Sequence, residues 1–222
     1  IHKALKYAVK LDLISSNPAD KIERPKKERF MANFYDADEV NRLFEISKGT
    51  KLEIPILFGA FYGMRRSETL GMKWDAIDFE RDTITIRHTL TTVALDGKRI
   101  TVAEDRTKNK SSMRTLPLVP FVKERLLELK AEQEENRRLC GRSYVKDYTG
   151  YVCINEIGDI IKPNYVSCGF PKLLEEHGLR RVRYHDLRHS CASLLLANGV
   201  PMKQIQEWLG HSDFSTTANI YA

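Results

Sequence analysis

The sequence predicts a mostly α-helical domain that carries a small antiparallel β-sheet. Helical spacing of apolar residues recurs from residue 36 to 62 and again from 122 onward, whereas period-two alternation is confined to a central stretch. Within that stretch Asp96-Gly97 separates two β-prone runs, a strong signal for a tight hairpin.

Residues 1 to about 15 read as the end of a helix, with Leu5, Ala8, Val9 and Leu11 or Leu13 at helical spacing, broken at Asn17-Pro18. Lys21 to Lys27, which includes Pro25, reads as a polar, basic linker. Its Lys26 and Lys27 suit either a DNA backbone or plain solvent. A helix begins after Asp36 as cap, with Val40, Leu43 and Phe44 on one face, and Ile54 to Tyr62 forms a second, more apolar helix running into Gly63. Leu70 and Trp74 are expected in the core. Thr83-Ile84-Thr85-Ile86 alternates as a strand, Thr89 to Val93 and Ile100 to Val102 flank the hairpin turn, and Arg114 to Leu118 is a further strand. Val122 to Leu139 reads as a long charged helix. Gly199-Val200-Pro201 separates a His185 to Asn198 helix from Met202 to Leu209, which Gly210 stops. Leu194, Leu195, Leu196, Ile205 and Trp208 are expected to be core.

At 222 residues the chain can bury a sizeable core. Thirty-six Lys and Arg against 30 Asp and Glu leave a net charge of +6, which favours a polyanionic partner without identifying one. No apolar run is long enough to span a membrane, and no signal peptide opens the chain. Cys140, Cys153, Cys168 and Cys191 are irregularly spaced with no Cys-x-x-Cys, so they read as reduced thiols of an intracellular protein.

Chemistry concentrates near the C-terminus. His185-Asp186-Leu187-Arg188 is followed by Gly210-His211 and by Tyr221, while Gly63-Met64-Arg65-Arg66-Ser67-Glu68 supplies further guanidinium groups upstream. Two arginines that grip a phosphodiester in fork geometry, histidines for proton transfer and a tyrosine nucleophile form a metal-free phosphoryl-transfer set. His185 and Arg188, three apart on a helix, would share one face. His185 and His189 are four apart, a spacing metals use, yet no Glu follows His185 in the zincin manner and no third ligand is suitably placed, so no metal or other cofactor is expected. Taken singly, each motif has a plainer reading: Arg65 and Glu68 as a surface ion pair, His189 as a structural hydrogen-bonding group, His211 as a helix C-cap.

Together and in this order, the motifs resemble the tyrosine recombinases, or phage-type integrases, whose pattern is Arg, Lys, His-x-x-Arg, His and Tyr. The resemblance runs from Asn33 to Ala222. It implies the tyrosine recombinase catalytic-domain fold over 33–222, cut just after the nucleophile, with 1–32 as the end of a core-binding domain and its linker. Through the Gly-x-Arg-x-x-Glu motif it implies Arg65, not Arg66, as the first phosphate-gripping arginine, with Glu68 supporting it. A Lys-x-Lys-Ser-x-x-Arg context before a hydrophobic-Pro pair implies Lys108 as general acid, with Lys110 its rival. His185 would take the proton of Tyr221, Arg188 would be the second clamp, and His211 in Leu-Gly-His would donate to a non-bridging oxygen. Tyr221 would store the strand as a 3′-phosphotyrosine. Lys26, Lys27, Lys110, Arg114 and Arg183 are the expected DNA contacts.

The implied protein is a site-specific recombinase or integrase of a mobile element, bacterial, phage- or transposon-encoded, acting in the cytoplasm at the nucleoid. Its implied partners are double-stranded DNA, three further copies in a homotetramer, and accessory DNA-bending proteins. A non-catalytic regulator using Gly199 to His211 as a helix-turn-helix-like unit is the alternative, but binding alone needs no nucleophile. A type IB topoisomerase would share the chemistry, but the short linker and the lack of large clamp domains favour the recombinase.

Overall fold

The computed structural model describes residues 1–23, 34–96, 98–104 and 113–211. The chain divides into two compact units, Ile1–Met31 and Ala32–Ala222.

In the first unit, helix α1 (His2–Lys10) stops well short of Asn17-Pro18. Asp12 takes a left-handed conformation at φ 54°, the Leu13 amide donates to the Ala8 carbonyl at 3.0 Å and the Asp12 amide to Val9 at 3.1 Å. That pair of bonds is a Schellman ending, here made with Asp where glycine is usual. Asn17 then caps a 3₁₀ turn, Pro18–Lys21, accepting from the Ala19 amide at 3.0 Å.

The second unit is built around α3 (Glu53–Phe61), whose residues from Glu53 to Ala60 are all buried. Its sequence is apolar on every side, so it has no face to offer water and becomes the central helix. The α2 helix (Ala37–Ser47) begins with the expected capping box: Asp36 accepts from the Glu39 amide at 2.9 Å, and Glu39 accepts from the Asp36 amide at 3.1 Å. The one carboxylate within α3, Glu53, is neutralised by the Arg125 guanidinium at 2.8 and 3.2 Å. Arg125 lies on α5 (Pro120–Cys140), which starts two residues before the expected Val122 because a proline is well suited to a first helical turn.

Among the described residues the strands form two sheets where one was expected. β1 (Ile77–Asp78), β2 (Thr83–Ile86) and β5 (Arg114–Pro117) make an antiparallel sheet in the order β1-β2-β5, pairing Ile84 with Leu116 and Ile86 with Arg114. β3 (Thr89–Leu95) and β4 (Lys98–Glu104) form a separate hairpin in which Leu95 pairs with Lys98 across Asp96-Gly97. The hairpin is seated on α4 (Arg66–Gly71): a Cβ on Gly71 would lie 2.6 Å from the backbone of Thr89.

Helices α6 (Pro163–Glu176), α7 (Leu187–Ala197) and α8 (Met202–Leu209) complete the unit. α7 and α8 pack through Cys191, Ala192, Ile205 and Leu209. α7 starts at Leu187, not at the expected His185, because Tyr184–Asp186 forms a 3₁₀ turn. Leu70 and Ile205 are buried as expected, and Leu194, Leu195, Trp74 and Trp208 pack partly buried against the two cores. Leu196 was expected inside, but it lies on the outer side of α7 with 37% of its surface exposed. None of the described helices is long and apolar enough to cross a membrane.

The Gly71 contact is backbone against backbone, so neither side can give way. Gly71→Ala should lower unfolding free energy by about 1–3 kcal/mol, as overpacking does. Gly169→Ala, inside α6, meets Leu52 at an ordinary 3.4 Å and the Tyr165 ring at 3.9 Å, and should stabilise by roughly 0.5–1 kcal/mol through helix propensity. Urea unfolding of the two variants checks this, and equal midpoints would contradict it.

Candidate active site

The first arginine segment follows from how α3 ends. The chain leaves the helix at Tyr62 and reverses at Gly63, whose φ of 56° suits glycine. Arg65 thereby becomes the N-cap residue of α4. Glu68, in the first turn of that helix, reaches back to accept from the Arg65 amide at 3.0 Å and from its Nη1 at 2.6 Å. The Glu68 side chain is 2% exposed, while that of Arg65 keeps 37% and so retains donors for a ligand. The next residue, Arg66, turns elsewhere, donating to the Ser167 hydroxyl and the Pro163 carbonyl on α6.

A second guanidinium reaches Glu68 from β5. Arg114 Nη2 donates to Glu68 Oε2 at 3.2 Å, and its Nε donates to the Trp208 carbonyl at 2.6 Å. Arg114 was expected as a DNA contact; its side chain is only 6% exposed and stands as a buried strut between Glu68 and the end of α8. The sequence contains the relevant signal: Arg114 is two residues from buried Leu116, and alternation puts both on the inward face.

Arg188, on the first turn of α7, is 2% exposed. It donates to the carbonyls of Gly63 and Leu209 and, through Nε, to His211 Nε2 at 3.3 Å. One side chain therefore joins the α3–α4 turn to the end of α8. Burial, followed by repulsion from Arg65 and Arg114, brings its pKa down to about 9. Glu68 responds in the opposite sense: burial alone would raise its carboxyl, but Arg114 and then Arg65 hold it below the ordinary carboxylate value.

His211 follows the left-handed Gly210, which ends α8, and Gln206 Nε2 holds its carbonyl at 3.1 Å. Because Nε2 accepts from Arg188, the ring proton belongs on Nδ1. Partial burial, then Arg188 and Arg65, depress the His211 pKa to about 3. His185 occupies the 3₁₀ turn, where Asp186 caps the Arg183 amide at 2.8 Å. The preceding residue, Tyr184, is anchored through its hydroxyl to the Pro55 carbonyl at 2.6 Å and Thr69 Oγ1 at 3.1 Å. His185 keeps an open edge to solvent, yet desolvation by flanking protein, then Arg188 and His189, lower its pKa. Its ring meets that of His189 edge-on at 5.8 Å.

Arg183 stays at the surface, 66% exposed, with its guanidinium on Asp186 at 2.8 Å. No group of three metal-ligating side chains occurs among the described residues. Lys26 and Lys27, Lys108 and Lys110, and Tyr221 lie outside the described residues. The arrangement thus makes two hydrogen-bonded groups, Arg65–Glu68–Arg114 and Arg188–His211, within electrostatic reach of each other, and sets His185 within electrostatic reach of Arg188. Sequence reasoning missed the Trp208 and Leu209 carbonyls, which side-chain motifs do not announce.

The profile of the phage integrase family matches residues 33–222. The tyrosine recombinase XerC-like protein of Caldanaerobacter subterraneus subsp. tengcongensis is 32% identical over 94% of this chain, which spans 53% of that protein. Tyrosine recombinase XerC of Pediococcus pentosaceus is 29% identical over 96% of the chain, which spans 65% of it. The chain therefore covers about half to two thirds of the length of these curated relatives. Among solved structures, the Tn1549 transposon integrase in complex with transposon right end DNA superposes with a TM-score of 0.76 at 20% identity, covering 100% of this chain and 71% of that one. The fold is that of an integrase catalytic domain, and the match over 33–222 shows that the chain belongs to the phage integrase family.

Proposed function

We propose that the chain is the catalytic part of a site-specific DNA recombinase that integrates or excises a mobile element, working as a homotetramer on its recombination sites in the cytoplasm. The observation that carries this reading is the convergence of Arg65, Arg114 and Arg188 on one buried carboxylate, with guanidinium charge in excess of what Glu68 neutralises and His211 bonded to Arg188. Such a cluster suits an anion that brings its own charge, as a scissile phosphate does.

In this mechanism Arg65 and Arg188 bind the non-bridging oxygens, and His211 donates a further hydrogen bond from its protonated nitrogen. The Tyr221 phenol attacks phosphorus and passes its proton to His185. A phosphotyrosyl bond forms at the 3′ end as the bond from phosphorus to the 5′ oxygen breaks. Lys108 supplies that oxygen's proton. The reverse reaction with a 5′ hydroxyl from the other duplex reseals the strand. Because both steps exchange one phosphodiester for another, no external energy source is needed.

Tyr221→Phe should abolish the covalent protein–DNA adduct on labelled duplex from the junctions of the encoding element, while leaving duplex affinity nearly unchanged. Adduct at the normal yield would remove Tyr221 from the role.

A general acid typically contributes about 10²–10⁴-fold, and only where the leaving group is poor. Lys108→Ala should therefore cleave ordinary duplex slowly and recover when sulfur replaces the 5′ bridging oxygen. Lys110→Ala should show little defect on either substrate, and the opposite pattern would exchange the two lysines.

The pH profile tests His185. A base must be unprotonated, and its lowered pKa keeps it so further into acid. The value of kcat/KM for cleavage reports the free enzyme, so it should stay level down to about pH 6.5, the ordinary imidazole value, and fall only below it. A limb that starts falling above neutrality would contradict this assignment.

A further inference from the structure

We propose that Arg114 is a positioning residue for strand cleavage, holding Arg65 in place through their shared Glu68 carboxylate and holding the end of α8 through the Trp208 carbonyl. The proposal rests on the recombinase reading and adds to it a residue that touches no DNA.

The geometry is that of a two-ended brace. Glu68 Oε1 accepts from the Arg65 side chain, while Oε2 accepts from the Arg65 amide and from Arg114 Nη2. A carboxylate held by Arg65 alone can swing about its last torsion together with the half-exposed arginine it supports. Arg114, approaching from β5, fixes the carboxylate plane and leaves Arg65 one orientation. The other end of the brace is at α8. Arg114 Nε takes the Trp208 carbonyl and Arg188 takes the neighbouring Leu209 carbonyl, so two buried guanidiniums seat the last turn before His211. Cations at a helix C-terminus also suit the negative end of its dipole.

Arg114 is also the first residue of β5, directly after the segment that carries Lys108 and Lys110. One side chain thus ties the root of that segment to the Arg65 turn and to the His211 helix. An ammonium cannot replace it, because a single point charge does not span two acceptors set apart in fork geometry.

The test uses Arg114→Lys, Arg65→Lys and the double variant, with three readouts: single-turnover adduct formation at saturating duplex, duplex affinity, and the arginine Nε–Hε NMR signals of the DNA-free protein. Misplacement of a clamp by about 1 Å can cost on the order of 100-fold in rate, so Arg114→Lys should lose about that much while binding duplex normally. In the Arg65→Lys background it should cost little more, because the residue it positions is already compromised. The Arg65 Nε–Hε signal should move toward that of a freely rotating arginine in Arg114→Lys.

Losses that multiply in the double variant, together with an unmoved Arg65 signal, would overturn the proposal. So would rescue of Arg114→Lys by the 5′-sulfur substrate, which would place its effect on the lysine. Should Arg114→Lys not fold, Arg114→Gln takes its place, retaining a donor for Trp208 without the charge, and wild-type cleavage by it would also overturn the proposal. Absence of any adduct from the unaltered protein would defeat the recombinase reading instead, while the Arg65 signal would still decide the positioning role.

Discussion

Glu68 holds a negative charge almost wholly out of water, and that arrangement stands only because guanidinium groups from separate parts of the chain converge on it. Removing one partner from a buried ion pair typically costs about 3–5 kcal/mol, since the charge left behind has neither water nor counter-ion. The α3–α4 turn, β5 and the end of α8 are therefore obliged to come together, and the constraint is local and directional. Hydrophobic burial around α3 brings these segments near each other; the carboxylate decides their mutual register.

The same charges set the protonation states nearby. Surplus guanidinium charge, added to desolvation, keeps His185, His189 and His211 below their ordinary pKa. A lowered pKa keeps each ring neutral further into acid, and here that follows from burial and neighbouring charge. It also fixes the His211 tautomer, since an Nε2 that accepts from Arg188 leaves only Nδ1 to donate.

Much of this organisation could be read from residue patterns, and the exceptions share a cause. The capping box at Asp36, the turn at Gly63 and the glycine stop after α8 are local devices, written within four or five residues, and they fell where expected. Motif order singled out Arg65, Glu68, Arg188 and His211, and the fold brings them within electrostatic reach of one another. What escaped depended on tertiary context. α1 stops at Lys10 because Asp12, just beyond it, adopts a backbone shape usually left to glycine. His185 sits in a 3₁₀ turn because Tyr184 is anchored to α3 and α4. Arg114, charged and next to a basic loop, looked like a surface contact, and only its alternation with Leu116 hinted otherwise.

The hairpin of β3 and β4 has its own sheet, apart from β1-β2-β5, and meets α4 where Gly71 touches the Thr89 backbone. Leu90 adds a buried side chain to that seat, whereas Val93, Leu95 and Ile100 toward the tip are exposed. The far end of the hairpin therefore contributes little to the packing, and a change of length or composition around Asp96 would leave the seat of the root on the arginine helix intact. Such a module lets selection explore new outer surfaces without retuning the chemistry beneath them.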